Sequence, residues 1–243
     1  MTRLVIFDGD DTLWFVEALY DAARQAARQV VIDAGLDGDR WEQLEREIDV
    51  ANVSRFGFSV VRFPTSCVEA YRAVSREASR RPDVDIERWI FETASSVFNT
   101  PAPLAQDARL ALESLRRSHT LILLTRGVAE VQCRRVEESG LTDLFDDVVV
   151  VDDKTPDTFR RTAWSAGAQP ERSWSVGNSL RSDIVPAVHA GMSAIWIDAH
   201  VWEYERLHAN VRHTRIWRAD ALSDVPAIID RIEAASSVAD EAG

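Results

Sequence analysis

The chain has 243 residues, 46% of them apolar, enough hydrophobic material for one large domain or a domain carrying an insertion. Its formal charge of −12 argues against a nucleic-acid protein, because phosphate backbones demand a basic footprint. Small phosphorylated ligands stay open, since they need only a few local donors. Val148–Val151 and Leu121–Leu124 are typical of the longest apolar runs, far short of the about 20 residues of a membrane helix. The N-terminus, MTRLVIFDGDD, turns acidic after a short apolar run and shows no small-residue cleavage site, so no signal peptide is expected. Cys67 and Cys133 are too few for a disulfide framework. A reduced, cytoplasmic protein is predicted, with both thiols buried as small hydrophobes.

Arg3–Phe7 (RLVIF) is a short apolar run ending in Asp and Gly, the pattern of a strand buried on both faces. From Glu17 to about Phe98 the texture is helical, with Ala18, Ala22, Ala26 and Val30, then Leu44, Ile48 and Ala51. Breaks at Gly35–Asp39, Gly57–Pro64 and Arg81–Asp85 divide it into about four helices. Pro101 and Pro103 mark a boundary, after which helices and strands alternate. Helices are predicted over Leu104–Arg117, Val128–Ser139, Thr158–Gly167, Ser182–Ala190 and Val225–Ala235. Strands are predicted over Thr120–Leu124, Asp147–Val151, Trp174–Val176 and Ala194–Ile197. The fold class that follows is α/β: a Rossmann-like parallel sheet core, residues 1–14 and 100–243. An inserted, mainly α-helical cap domain, residues 15–99, follows the first strand directly.

Open α/β sheets bind ligands beyond the carboxyl ends of their strands. Asp8, Asp10 and Thr12 follow the first predicted strand, and Thr125, Arg126 and Gly127 the second. Asp152, Asp153 and Lys154 follow the third, and Gly177, Asn178, Ser179 and Asp183 the fourth. Four strands thus deliver carboxylates, a hydroxyl, an amine and an amide to one edge. Lys154 is also the chain's single lysine; every other basic side chain is Arg. Arg and Lys differ in shape and hydration, so a lone lysine after a buried strand points to a functional ammonium.

Taken in order, these motifs resemble those of the haloacid dehalogenase (HAD) superfamily, in its phosphatase branch with a helical cap of the C1 type. DGDDT (8–12) matches the family's DxDxT, Thr125 the hydroxyl of its second motif, Lys154 the third, and GNSLRSD (177–183) the fourth, usually GDxxxD. The resemblance covers almost the whole chain. It implies a Mg²⁺-dependent phosphatase acting on a small phosphorylated metabolite through an aspartyl-phosphate on Asp8. Asp10 would protonate the leaving oxygen and then activate water. Thr125 and Lys154 would hold the transferring oxygens, and Asp183 would orient Lys154 or the metal's waters. The metal would be bound by Asp8, the Asp10 carbonyl and Asn178, whose neutral amide replaces the usual carboxylate and so weakens the site or shifts its metal preference. Arg126 and Gly127 are further candidates for substrate binding. RFGFSVVRFPTSCVEAY (55–71) resembles the substrate-facing stretch of related caps, which adds Arg62 and Ser66. The plain alternative for that pair is a surface arginine and a helix cap.

Several residues read more simply. Asp11 is expected to cap its loop, Asp152 and Asp153 to be solvated, and the histidines (His189, His200, His208 and His213 among them) to hold no metal. Trp14 and Trp202 are minor candidates for the site entrance. Three rival functions differ in what they require. A dehalogenase would lack the acid at Asp10, and a phosphonate-cleaving enzyme would need a cap lysine, which this chain does not have. A catalytically silent scaffold would draw its support from Asn178. A monomer or homodimer is expected, with no nucleic-acid or membrane partner.

Overall fold

A computed structural model describes residues 2–198, 202–205 and 213–241. Among the described residues six strands form one sheet in the order β3-β2-β1-β4-β5-β6, with every pairing parallel. They are β1 (Thr2–Phe7), β2 (Thr120–Arg126), β3 (Asp147–Val151), β4 (Ala168–Gly177), β5 (Ser193–Ile197) and β6 (Ile216–Ala219). The chain order reverses at β1, so the carboxyl ends of β1, β2 and β4 border the switch point where such sheets bind ligands. Leu4 and Ile6 pack with Ile122, Leu124, Phe159, Ala187 and Met192 on one face. Val5, Phe7, Leu121 and Leu123 are also wholly buried, so β1 and β2 are covered on both faces. That explains why they read as unbroken apolar runs.

The helices are α1 (Glu17–Asp33), α2 (Gly38–Phe56), α3 (Arg62–Glu77), α4 (Val84–Ser95), α5 (Ala108–Leu115), α6 (Ala129–Ser139), α7 (Pro156–Ser165), α8 (Val185–His189) and α9 (Val225–Glu241). The chain divides into two compact units. One comprises Met1–Phe15, Pro103–Arg126 and Val136–Gly243; the other comprises Val16–Ala102 and Gly127–Arg135. The helical unit has its own core, with Trp41, Phe63, Cys67, Tyr71 and Ile90 buried together. Among the described residues no helix is long and apolar enough to cross a membrane.

Several boundaries differ from the sequence reading for local reasons. Leu104 is not helical; it bridges to Trp14, and the helix starts at Ala108. Pro64 lies in the first turn of α3, where its missing N–H leaves no helix bond unmade. Thr155 and Thr158 form a capping box with Pro156 inside it, starting α7 two residues early. The predicted helix from Ser182 becomes a π turn, Leu180–Ile184, followed by the short α8. Strand β6 was not predicted: four residues at the sheet edge, half of them part-exposed aromatic or charged, carry too little pattern. Cys133 is exposed, not buried as expected. The buried face of α6 carries Val131, Gln132, Arg135 and Val136, and Cys133 falls off it. His200 and His208 lie outside the described residues.

Candidate active site

Asp8 extends β1 by one residue, its N–H donating to the Val176 carbonyl at 2.9 Å. Asp8 is 9% exposed, and its carboxylate is held from two sides. Thr12 Oγ1 donates to Oδ2 at 3.0 Å, and Lys154 Nζ to Oδ1 at 2.5 Å. Lys154 Nζ also donates to Asp183 Oδ1 at 2.7 Å, and the Ser179 N–H donates to Asp183 Oδ2 at 2.9 Å. The π turn brings Asp183 back beneath the end of β4, so close that a Cβ at position 177 would fall 2.4 Å from its Oδ2. Only glycine fits there, which accounts for Gly177 at the head of GNSLRSD. Thr12 completes the cluster: its Oγ1 accepts from the Asn178 N–H at 3.2 Å and lies 3.3 Å from Asn178 Oδ1. The loop ends after β1 and β4 are therefore tied through one hydroxyl.

Burial, then the charge of Asp183, pushes the Asp8 carboxyl up to about 7, against the opposing pull of Lys154. Burial alone would lower Lys154, but Asp183 and Asp8 outweigh it and its pKa is raised, so the ammonium stays charged. Asp8 and Asp183 share the one ammonium of Lys154, so two carboxyl groups meet a single fixed positive charge in a buried place. Thr125, at the end of β2, is 1% exposed, and its Oγ1 has no hydrogen-bond partner among the described residues. A buried hydroxyl without a partner costs stability, and an incoming oxygen would satisfy it.

The remaining predicted residues divide. Asp10 is half-buried and accepts from Trp14 Nε1 at 2.7 Å. Arg126 is committed to protein partners: Nη1 donates to Ser182 Oγ at 3.0 Å, and Nη2 pairs with Glu205. Arg62 and Ser66, read as substrate-facing, are 7% and 0% exposed and have partners inside the helical unit. Arg62 pairs with Asp49, and Ser66 Oγ donates to the Arg62 carbonyl at 2.8 Å and accepts from Asn52 at 3.1 Å. Gly127 adopts φ 143°, a turn conformation that favours glycine, and a Cβ there would press on Gln132. Asp11 takes φ 58°, and its N–H donates to the Trp14 carbonyl.

Glu205 is a functional candidate that no motif announces. It is 8% exposed and accepts from Ser179 Oγ at 2.7 Å and Ser182 Oγ at 2.5 Å, besides pairing with Arg126. Burial raises its pKa, but Arg126 and the two serines together hold it below the usual carboxylate range. Trp202, considered for the entrance, stacks on Tyr204 with ring centroids 5.3 Å apart.

A family model for haloacid dehalogenase-like hydrolases matches residues 2–191, which contain all four motif segments. The chain belongs to this family. The hydrolase is 28% identical over 236 residues to glyceraldehyde 3-phosphate phosphatase of Methanothermobacter thermautotrophicus, covering 94% of this chain and all of that one. N-acylneuraminate-9-phosphatase of Homo sapiens is 33% identical over 101 residues, 39% of this chain and 41% of its own. A haloacid dehalogenase-like hydrolase from Xanthomonas campestris superposes with a TM-score of 0.79 at 26% identity, over 97% of this chain and 98% of that one.

Proposed function

We propose that this hydrolase is a Mg²⁺-dependent phosphatase that cleaves small phosphorylated metabolites through a phosphoryl-Asp8 intermediate. The observation that carries this reading is the buried bridge of Lys154 between Asp8 and Asp183. It holds a nucleophilic carboxylate beside a fixed positive charge at the end of a central strand. In the first half-reaction an Asp8 oxygen attacks phosphorus and the ester oxygen leaves with a proton from Asp10. In the second, a water gives a proton to Asp10 as its oxygen attacks phosphorus, and the bond from phosphorus to the Asp8 oxygen breaks, releasing phosphate and restoring the Asp8 carboxylate. Lys154 balances charge on the transferring oxygens, and Thr125 supplies the donor that is otherwise unused.

The donor set fits a divalent cation. Asp8 and Asn178 present oxygen atoms on the same Thr12 hydroxyl, and the surplus of carboxylates calls for positive charge. Asp8, the Asp10 carbonyl and Asn178 would hold Mg²⁺. When bound, it screens the repulsion between the Asp8 carboxylate and an anionic ester. Asp10 favours phosphorus over carbon chemistry, and the absence of any lysine besides Lys154 removes the Schiff base of phosphonate cleavage.

The substrate proposed is a small phosphate monoester, with glyceraldehyde 3-phosphate the first ester to assay because that relative matches end to end. The test uses purified wild type and Asp8→Asn, with 4-nitrophenyl phosphate and a panel of metabolite esters, with and without Mg²⁺. Wild type is expected to release phosphate only with the cation, and Asp8→Asn to release none while melting normally. Activity in Asp8→Asn would overturn the intermediate. Halide release from 2-chloropropionate without phosphate release would turn the reading to a dehalogenase.

A further inference from the structure

Trp14 is the side chain the mechanism leaves unused although it touches the proton donor. It is 1% exposed, yet its indole Nε1 donates to Asp10 Oδ1 at 2.7 Å. The ring is pressed onto the backbone between the two motif aspartates, so that a Cβ at Gly9 would fall 2.5 Å from it. The backbone on both sides is pinned. The Ala105 N–H donates to Leu13 O at 2.9 Å and the Phe15 N–H to Pro103 O at 2.8 Å, flanking the bridge between Trp14 and Leu104. The Asp11 N–H closes the loop onto the Trp14 carbonyl at 2.7 Å. A rigid donor on a fixed frame thus meets a half-buried carboxyl that must face the leaving oxygen.

We infer that Trp14 is a positioning residue for Asp10, fixing the carboxyl group that hands its proton to the leaving group. The inference rests on Asp10 acting as the proton donor, as proposed above. As the phosphorus–oxygen bond breaks, its electron pair takes the Asp10 proton. A wandering carboxyl makes that transfer rarer, and the loss is greatest where the leaving oxygen is most basic. An ester with an acidic leaving group departs without help.

The dependence on leaving group is therefore the readout. kcat/KM, which reports phosphoryl transfer to Asp8, is measured for 4-nitrophenyl, phenyl and 4-methoxyphenyl phosphate with wild type, Trp14→Phe and Asp10→Asn. Trp14→Phe keeps an aromatic ring against Gly9 and removes the N–H. It is expected to hold 4-nitrophenyl phosphate within about threefold of wild type and to lose about tenfold or more on the other two, part of what a general acid contributes. An equal loss on all three esters, or no loss, overturns the inference. Asp10→Asn serves as the control for the underlying reading. If it shows no dependence on leaving group, the assignment of Asp10 fails; if it shows one and Trp14→Phe does not, only the role of Trp14 fails. Should Trp14→Phe fold poorly, benzothienylalanine at position 14, with sulfur in place of N–H at nearly the same shape, gives the same comparison.

Discussion

The ammonium of Lys154 stands 2.5 Å from Asp8 and 2.7 Å from Asp183, joining two buried carboxylates, one just past β1 and one in the turn after β4. A guanidinium is planar and broader and cannot occupy the same point. Lys154→Arg is expected to lower kcat/KM for 4-nitrophenyl phosphate by about 100-fold or more, the scale of losing one transition-state donor. Lys154→Met leaves the carboxylates facing each other and should cost about 3 kcal/mol in urea denaturation. Adding Asp183→Asn to Lys154→Met should return part of that stability. Near-wild-type kinetics in Lys154→Arg would remove the lysine from the mechanism.

Glu205 gathers Arg126 from the end of β2 and Ser179 and Ser182 from beyond β4 onto one buried carboxylate. The end of β2, which carries Thr125, and the turn that carries Asp183 are thereby linked. Glu205→Gln keeps an acceptor but leaves Arg126 short of a charge, and it is expected to lower stability by about 2 kcal/mol. A double-mutant cycle with Arg126→Leu should give a coupling of about 1 kcal/mol or more. Additive effects in that cycle would show that the pair does no joint work.

The central site was legible because its residues sit at strand ends within a few positions of a strong apolar run. Asp8, Thr125, Lys154 and Asp183 were all placed in that way. Lys154 also stood out by composition. What was not legible depends on side chains meeting across the chain. Glu205 lies 26 positions from Ser179, follows no motif and belongs to no regular strand or α-helix. The hydrogen bond of Trp14 depends on a loop that is held in part by a distant backbone segment, 103–105. Arg62 and Ser66 show the same limit, because a basic residue and a hydroxyl near a loop look alike in sequence whether they face solvent or lie buried beside Asp49 and Asn52. Cys133 was misread because α6 buries charged and amide side chains on its inner face.

Inside the helical unit, Glu45 is wholly buried beside Arg24, with Asp49 one helical turn away. Burial pushes its carboxyl up to about 7, against the pull of Arg24, while Asp49 pushes the same way as burial. One oxygen of each carboxyl has no partner among the described residues, and a proton on Glu45 would supply a missing donor. Raised above its ordinary 4.5, the group binds a proton more tightly in the folded protein. Its contribution is full below pH 4.5 and is lost as pH rises through 7, about 3 kcal/mol in all. Asp8 acts with the same sign. Urea denaturation between pH 5 and pH 8 should show stability falling, and Glu45→Gln should flatten that slope. An unchanged slope in the variant would mean that Glu45 stays ionised throughout.

If Mg²⁺ is held as proposed, Asn178 sets the strength of its binding. Its amide oxygen shares Thr12 with Asp8, so a carboxylate in its place would add charge beside a carboxyl already strained by burial and by Asp183. Without a cation, that extra charge is repelled, and Asn178→Asp should melt at a lower temperature than wild type. With Mg²⁺, the same charge attracts the ion, so the rise in melting temperature on adding Mg²⁺ should be larger in the variant. The Mg²⁺ concentration for half-maximal phosphatase activity should fall several-fold, on the order of 1 kcal/mol of added attraction in a partly screened site. A chelator should abolish activity in both proteins. If the half-saturating concentration is the same in both, Asn178 does not face the ion, and the neutral amide in GNSLRSD serves only to hold the loop on Thr12.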